Sequence, residues 1–418
     1  MAKFLVEGGV PLHGSVKISG SKNAALPLLC AALLTQEKVT LTNVPDIADI
    51  HTLIEIFGSL GIKAAYTAKN TVSVEAKKVS STTVTHERAM KMRGSILMFG
   101  PLLGRFGSVR LPYPGGCVIG KRPVDSHLHA MHKLGAEAGV SGESIVAKGK
   151  LKGAAFAMSE MSVTATENAI LAAVLANGKS EIRMAAMEPH IANLCELLVA
   201  MGARIEGIGT PTIRITGVKK LHGTTHAVTP DYLEAATFLV AGIVTRGQVR
   251  AENVVPEHLD AFLGKLDEIG VNYEVGKTWI EVRPTKKFTP PSRTEARPHP
   301  GFATDIMAPF TVLLSQCNGV SKIFETLYEG RLNYLFEMEK MGAKVEILNP
   351  HQALIVGPCK FRGTSVSSLD LRAGATMVLA GLIAKGTTEV NNIVYIDRGY
   401  ENFEGKLAKL GAKIRRVE

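Results

Sequence analysis

The chain has few aromatic side chains and no long apolar run. Aromatic residues make up 6% of its 418 residues, with a single Trp. The cleanest apolar stretches, such as residues 24–34, are about a dozen residues long, whereas a membrane-spanning helix needs about 18 or more. The start of the chain also has no apolar segment typical of a signal peptide. We therefore expect no membrane partner and a cytoplasmic location.

Cysteines are few, and no two of them form a CxxC pair. The five are Cys30, Cys117, Cys195, Cys317 and Cys359. An odd number at wide spacing argues against a disulfide framework and against a zinc site. It favours a reducing compartment instead.

Acidic residues are fewer than basic residues, 38 against 48, which gives a net charge of +10. Such a balance suits nucleic acid or small polyanionic substrates, and composition does not decide between them. The basic residues are scattered and no aromatic residues are interleaved with them, which disfavours a nucleic-acid stacking surface. The sequence has neither a Walker motif nor a GxGxxG after a predicted strand. At 46% hydrophobic, the chain can bury large cores, and its length predicts two or three domains.

A short pattern recurs six times along the chain: an apolar residue, a glycine, and a small or apolar residue that opens a strand. The glycines are 67 to 74 residues apart, so six periods of about 70 residues account for the whole chain. An amphipathic helix is predicted before each glycine, as in Leu194, Leu197, Leu198 and Met201 at i, i+3, i+4 and i+7. Glycine is expected there because the helix ends in a left-handed conformation. The six are Gly61, Gly135, Gly202, Gly270, Gly342 and Gly411.

Each repeat also contains a predicted helix that is apolar on nearly all sides. Because a helix without a polar face must be buried all round, each repeat should contribute one half-exposed helix and one central helix, with short strands between. The predicted central helices cover residues 24–34, 94–103, 168–176, 233–244, 307–315 and 373–384.

Two closed groups of three repeats fit the chain better than a solenoid, whose units are rarely so long. The sequence therefore predicts an α/β fold of two similar domains that face each other across a cleft. We expect residues 22–229 to form the first domain and residues 1–21 with 230–418 to form the second. The predicted strand Lys3–Glu7 should pair with the last repeat and close the second domain.

Charged residues are concentrated where the predicted helices begin. Helix starts present N–H groups and the positive end of the helix dipole, which suit anions. An acid alone at such a point, such as Asp231, Asp305 or Asp370, is most simply an N-cap. Arg415 and Arg416 at the tail are expected to be solvent-exposed. Several cations together favour an anion site, and they are Lys22, Arg93, Arg122, Arg372 and Arg398.

The segment 114–123 is the most distinctive local feature. Glycines and prolines flank Cys117, which predicts a loop. Lys121 and Arg122 follow, together with a helix start, and these would lower the pKa of a thiol. A reactive thiol and a small buried hydrophobe both remain open for Cys117 on these residues alone.

Several motifs together resemble the UDP-N-acetylglucosamine enolpyruvyl transferases, or 1-carboxyvinyltransferases. The resemblance extends over essentially the whole chain and is highly specific. The motifs are SGSKNAALP at 19–27, PGGC at 114–117 with RPVD at 122–125, GFATD at 301–305, DLRA at 370–373 and IDRGYE at 396–401. It implies two inverse α/β barrels of three βαβαββ repeats each, with the active site in the interdomain cleft.

The resemblance also implies a reaction, the first committed step of peptidoglycan synthesis. Phosphoenolpyruvate and UDP-N-acetylglucosamine give the 3-O-enolpyruvyl sugar nucleotide and phosphate, by addition and elimination through a tetrahedral ketal. Neither a metal nor an organic cofactor is implied, and the chain would be a monomer or a weak homo-oligomer. Cys117 would be the general acid and the target of fosfomycin, and Asp305 the general base.

The resemblance implies further roles for the residues at the helix starts. The phosphate of phosphoenolpyruvate would be held by Lys22, Arg122 and Arg398. Its carboxylate would be held by Arg372, with Asp370 nearby. The amino sugar would contact Asn23 and Leu327, and Arg93 would border the nucleotide. The uracil pocket would be lined by Arg122, Pro123, Val124, Asp125 and Ser126, and the diphosphate would meet Ser162 and Val163.

Some positions depart from the family pattern. The family often has Leu at position 126, Lys at 160 and Gly at 164, where this chain has Ser126, Glu160 and Thr164. Two residues also look inserted between Arg110 and Cys117. These departures concern the nucleotide site and the length of the loop.

Two alternative functions remain open. Shikimate-3-phosphate enolpyruvyl transferases share the six repeats but lack the GGC loop and the RPVD motif. A basic scaffold that binds nucleic acid would explain the net charge alone. It would not explain why distinctive cations lie at helix starts.

Overall fold

The computed structural model describes residues 2–418 except 86, 88, 90, 91, 116–118 and 121. These residues form two compact units. Residues 20–115 and 122–229 make up the N-terminal unit. Residues 2–19, 119–120 and 230–418 make up the C-terminal unit.

Helices and short strands alternate along both units, as the predicted α/β class requires. The helices are α1 (Lys22–Ala31), α2 (Ala48–Ser59), α3 (Phe99–Phe106), α4 (Asp125–Lys133), α5 (Val163–Ala173), α6 (Pro189–Ala200), α7 (Tyr232–Val244), α8 (Asp260–Ile269), α9 (Thr304–Leu314), α10 (Tyr334–Lys340), α11 (Leu371–Ile383), α12 (Val394–Asp397) and α13 (Phe403–Lys409). Turns of 3₁₀ helix cover Ala32–Leu34, Arg93–Met98, Pro256–Leu259 and Arg331–Asn333.

The strands are short and pair within their own unit. They are β1 (Lys3–Glu7), β2 (His13–Lys17), β3 (Val39–Thr42), β4 (Lys63–Ala68), β5 (Thr71–Glu75), β6 (Ser108–Pro112), β7 (Glu137–Ser141), β8 (Ser144–Lys148), β9 (Ala155–Ala157), β10 (Lys179–Arg183), β11 (Arg204–Glu206), β12 (Thr212–Thr216), β13 (Thr225–Ala227), β14 (Gln248–Glu252), β15 (Tyr273–Val275), β16 (Trp279–Val282), β17 (Thr294–Glu295), β18 (Gly319–Phe324), β19 (Val345–Asn349), β20 (Gln352–Gly357), β21 (Ser365–Ser367), β22 (Thr387–Asn391) and β23 (Lys413–Val417).

The sheets share one plan, which confirms the repeat. A short strand runs parallel to a second strand, and two further antiparallel strands continue the sheet. In the N-terminal unit the orders are β13-β3-β5-β4, β9-β10-β12-β11 and β6-β8-β7. In the third of these, a parallel bridge from Thr83 to Arg110 stands where the other sheets have a short strand.

The C-terminal unit has the orders β2-β14-β16-β15, β17-β18-β20-β19 and β21-β22-β1-β23. As predicted, β1 joins the last repeat, because it pairs antiparallel with both β22 and β23. The described strands form six separate sheets, so neither unit has one closed, hydrogen-bonded barrel.

The predicted central helices are buried. Every residue of α7 is buried, and so are residues 372–382 of α11. In the C-terminal unit, α7, α9 and α11 pack against one another, and in the N-terminal unit α3 packs on α5. Burial of each helix on all sides places its first turn at the edge of the core, where charged side chains can reach a ligand.

The repeated glycines end helices, as predicted. All six have positive φ, between 77° and 102°. A side chain with a Cβ would be strained in this conformation, so the pattern reports a backbone requirement. Among the described residues, no helix is long and apolar enough to cross a membrane.

Candidate active site

Three charged side chains come together in the C-terminal unit. Asp305 is in the first turn of α9, Arg372 is in the first turn of α11, and Arg331 opens the 3₁₀ turn before α10. Arg331 donates a hydrogen bond from Nη2 to Oδ1 of Asp305, and Nε of Arg372 lies 3.4 Å from Oδ2. The two arginine side chains are only 5% and 3% exposed.

The two guanidinium groups keep the Asp305 carboxylate charged. Burial by itself would raise the pKa of Asp305, but the positive charges of Arg331 and Arg372 and their hydrogen bonds outweigh it. The pKa therefore falls below its usual range. Burial opposes the charge of the arginines too, yet nearby negative groups raise the pKa of both above the ordinary value. The group is thus a fully ionised triad.

The triad retains hydrogen-bond donors for an anion. Nε of Arg331 and Nη1 of Arg372 are buried and donate to no acceptor among the described residues. Buried donors in proteins are almost always paired. A ligand carboxylate or phosphate would supply the acceptors that these two groups lack.

The other acids at helix starts behave as predicted, but Asp305 does not. Asp231 accepts hydrogen bonds from the N–H groups of residues 233 and 234, and Asp370 accepts them from 372 and 373. Both are N-caps. The interpretation of Asp305 as a simple cap was wrong, because the N-cap of α9 is Ala303 and the Asp305 carboxylate turns to the arginines.

Arg398 follows α12 in the same unit and is half-buried. Hydrogen bonds connect the segment around it to the rest of the unit. Tyr400 Oη lies 2.9 Å from Oγ1 of Thr237, and Ser19 Oγ donates to Glu401. Arg416 is exposed, as the sequence suggested, but its guanidinium group also bonds to both oxygens of Asp397.

Leu327 lies on the loop after β18, and its side chain is exposed. Its N–H donates to Oε1 of Glu325 at 3.0 Å, and Oγ1 of Thr304 donates to the other oxygen at 2.7 Å. Glu325 therefore connects this loop to the first residue of α9, which is adjacent in sequence to Asp305.

In the N-terminal unit, Lys22 and Asn23 occupy the first turn of α1. Nζ of Lys22 lies 2.6 Å from Oδ2 of Asp49, and both side chains are largely buried. Asp49 is in the first turn of α2, so this ion pair joins the starts of two helices.

A second group of predicted residues meets elsewhere in the N-terminal unit. Arg93 donates from Nη2 to the carbonyl oxygen of Pro123 at 3.1 Å. Ser126, in the first turn of α4, donates to Oε1 of Glu160 at 2.8 Å. Glu160 lies just before Ser162, the N-cap of α5, and Val163 begins that helix. The segments 122–126 and 160–163 are therefore neighbours in the N-terminal unit.

Cys117 lies outside the described residues. The other four cysteines are buried. Burial is the main cause of the raised pKa of Cys195 and Cys317, which is about 12 for each. The burial of all four agrees with the prediction that they are packing residues. The high pKa of Cys195 and Cys317 also makes these two thiols poor nucleophiles and poor acids near neutral pH.

Sequence reasoning missed Arg331, Glu325, Asp49 and Arg416. Arg331 is in a 3₁₀ turn, not at the start of a central helix, so the search of helix starts passed over it. A sequence signal did exist for Asp49, which is an acid two residues after the apolar Ile47 and lies in the first turn of α2.

The family model for EPSP synthase (3-phosphoshikimate 1-carboxyvinyltransferase) matches residues 6–407. The crystal structure of the enolpyruvyl transferase NikO from Streptomyces tendae is similar with a TM-score of 0.90 and 25% identity, over 100% of this chain and 99% of that one. EPSP synthase from Acinetobacter baumannii is similar with a TM-score of 0.78 and 16% identity over the whole of both chains. The similarity to the Acinetobacter baumannii enzyme, at 16% identity, concerns the fold alone. The α/β fold of two three-repeat units, predicted from the sequence, matches that of these enzymes.

Proposed function

Because the chain belongs to the EPSP synthase family of enolpyruvyl transferases, we propose that it transfers the enolpyruvyl group of phosphoenolpyruvate to the 3-hydroxyl of UDP-N-acetylglucosamine. This would be the first committed step of peptidoglycan synthesis. Family membership makes the chain an enzyme of the transferase class. The choice of acceptor rests on the GGC and RPVD motifs and on the grouping of residues 93, 122–126 and 160–163 in the N-terminal unit.

One observation supports the proposal most: an ionised Asp305 held by two buried arginines that have donors to spare. Phosphoenolpyruvate brings a carboxylate, which Arg331 and Arg372 bind through charge-assisted hydrogen bonds, with Asp370 nearby. Each such bond contributes about 1.5–3 kcal/mol. Lys22, Arg122 and Arg398 hold its phosphate.

The same arrangement explains how Asp305 becomes a base. In the absence of ligand, the two arginines lower its pKa. When the carboxylate of phosphoenolpyruvate shares those guanidinium groups, their field at Asp305 weakens and its pKa rises. Asp305 then accepts the proton of the sugar 3-hydroxyl more readily.

The chemistry has two steps. As Asp305 takes the hydroxyl proton, the sugar oxygen bonds to C2 of phosphoenolpyruvate and Cys117 gives a proton to C3, which forms a tetrahedral ketal. Loss of a proton from C3 and of phosphate from C2 then restores the double bond. The arginines and Lys22 stabilise the negative charges that the two substrates bring together.

The acceptor is placed by the remaining residues. Asn23 and Leu327 contact the amino sugar, while Pro123, Val124, Asp125 and Ser126 with Arg122 line the uracil pocket. Ser162 and Val163 bind the diphosphate at the start of α5, where helix N–H groups favour anions. Arg93, joined to Pro123, borders the nucleotide. The buried cysteines suit a reducing compartment, which supports a cytoplasmic location.

Phosphate release with each acceptor tests the proposal. We expect release from phosphoenolpyruvate with UDP-N-acetylglucosamine, and none with shikimate 3-phosphate. Release only with shikimate 3-phosphate would assign the chain to the other branch of its family. Salt-sensitive binding to DNA or RNA without turnover would favour a basic scaffold instead.

Cys117 has a test of its own. Fosfomycin should add one equivalent to Cys117 and none to Cys359, a buried cysteine that serves as the internal control in the same mass spectrum. Cys117→Ala should abolish turnover, whereas Cys117→Asp should keep much of it because a carboxyl group can also donate a proton. Full activity of the Ala variant would exclude the acid role.

A further inference from the structure

The last strand of the chain carries an arginine on the face of the sheet that covers the core. In β23, Arg416 lies directly opposite Phe4 of β1, and Ile414 lies opposite Val6. Phe4 and Val6 are fully buried. Side chains alternate along a strand, so Arg416 shares the inner face of the sheet and its neighbour Arg415 points to solvent.

Arg416 donates a hydrogen bond from each of its three guanidinium nitrogens. Nη1 and Nη2 donate to the two oxygens of Asp397 at 2.9 and 2.7 Å, and Nε donates to Glu404 at 2.7 Å. The group also stacks over the ring of Phe4, 5.0 Å from its centre. Hydrogen bonds to Asp397 are the largest cause of a raised Arg416 pKa. The side chain is 33% exposed, but a bidentate pair with a second carboxylate is the geometry in which such contacts hold firmly.

The two carboxylates bracket the segment that carries Arg398. Asp397 is the last residue of α12 and immediately precedes Arg398, and Glu404 is in the first turn of α13. Because α12 is a single turn of four residues, its own hydrogen bonds do not hold it in place. Contacts to the rest of the unit must do so.

We propose that Arg416 is a positioning residue that fixes Asp397 and so directs Arg398 toward the phosphate of phosphoenolpyruvate. The inference rests on the role of Arg398 in the proposed function. Arg416 touches no substrate; it acts through the backbone that it shares with Arg398. Lysine cannot replace it fully, since an ammonium group cannot bridge both oxygens of one carboxylate and a second carboxylate in a plane.

The chain supplies a matched control. Arg415 is the adjacent residue on the same strand, has the same charge, and is exposed on the opposite face. Arg415→Ala therefore changes the net charge as Arg416→Ala does but leaves the bonds to Asp397 and Glu404 intact.

Steady-state kinetics separates positioning from a loss of folding. Arg416→Ala should raise the KM for phosphoenolpyruvate about ten-fold, while the KM for UDP-N-acetylglucosamine stays within two-fold. Arg416→Lys should recover part of the loss, and Arg415→Ala should behave as the unchanged enzyme. Asp397→Asn should raise the same KM, and combining it with Arg416→Ala should add little because both changes break one interaction.

Calorimetric titration with phosphoenolpyruvate alone makes the test independent of the acceptor. If UDP-N-acetylglucosamine supports no turnover, the proposed function fails, but weaker binding by Arg416→Ala than by Arg415→Ala would still support the positioning role. Equal binding by the two variants, or a general loss of kcat with both KM values unchanged, would overturn it. Failure of the unchanged protein to bind phosphoenolpyruvate would overturn both ideas.

Discussion

The ion triad of Asp305, Arg331 and Arg372 makes a quantitative prediction about stability. Arg331→Met keeps the length and the apolar part of the side chain and removes the charge. It leaves Asp305 with Arg372 alone, at 3.4 Å. The free energy of unfolding should fall, because a charge that was paired in the interior loses its main partner.

The size of the effect follows from burial. Removing one partner of a buried ion pair costs about 3–5 kcal/mol. The Asp305 side chain is 27% exposed and keeps Arg372, so we expect about 2–3 kcal/mol. For a unit of this size, each kcal/mol corresponds to about 2–4 °C, which predicts a melting temperature lower by about 5–10 °C.

Scanning calorimetry measures the change, and the same unit provides a control. Arg283 pairs with Glu274 at 2.8 Å, where both side chains are nearly half exposed. It also lies 3.4 Å from the buried Glu281, which keeps Arg250 at 2.8 Å in the variant. Arg283→Met should therefore lower the free energy of unfolding by less than about 1 kcal/mol. In a double-mutant cycle, Arg331→Met should cost much less when Asp305 is already Asn, because the charge that it leaves unpaired is gone.

The pH dependence has a definite sign. The pKa of Asp305 lies below its ordinary value of 3.8 in the folded protein, so the stabilisation is complete above pH 3.8 and declines as the pH falls below it. The difference in melting temperature between the two proteins should be constant from pH 8 to pH 5. A decrease in melting temperature no larger than that of Arg283→Met would refute this account. So would additive free-energy losses in the double-mutant cycle, or a difference in melting temperature that changes above pH 5.

Two further predictions concern other parts of the fold. A Cβ on Gly247 would lie 1.9 Å from the carbonyl oxygen of Leu12, so Gly247→Ala should lower the melting temperature by several degrees. Gly264→Ala, in a helix with open space around it, should raise it slightly, and the reverse order would contradict the steric argument. His127 is buried, and burial, with the nearby charge of Arg93, lowers its pKa from 6.5 to about 3. Between pH 6.5 and 5 the free energy of unfolding of the N-terminal unit should therefore fall by about 2 kcal/mol. His127→Gln should remove this pH dependence in thermal melts, and an unchanged pH dependence would assign it to another group.

The repeat was readable from the sequence because its causes are local. A glycine with positive φ, an apolar stripe and a Pro- and Gly-rich turn each depend on residues within one or two turns. For the same reason Asp231 and Asp370 were predictable as caps, since a cap bonds to N–H groups two or three residues away. The bounds of the predicted central helices differ from the observed ones by up to five residues, because capping residues and short 3₁₀ turns shift the bounds, although the predicted end of α7 at residue 244 is correct.

The candidate site was predictable only in part. The residue types and their places at helix starts were evident, and the resemblance to a family selected among them. The partnership of Asp305 with Arg331 was not evident, because most of α9, the strand β18 and a loop separate these residues along the chain. The grouping of 122–126 with 160–163 likewise depends on how α4 and α5 pack.

The sequence by itself determined the number of repeats, the class of the fold and which helices are central, since those follow from short-range patterns of polarity and backbone freedom. Only the tertiary structure decided which charges meet. Asp305 pairs with two arginines from other helical segments, and Arg416 on the edge strand β23 bonds to Asp397 and Glu404 of the two preceding helices. Electrostatic energies depend on distance and burial in space, and neither is set by spacing along the chain.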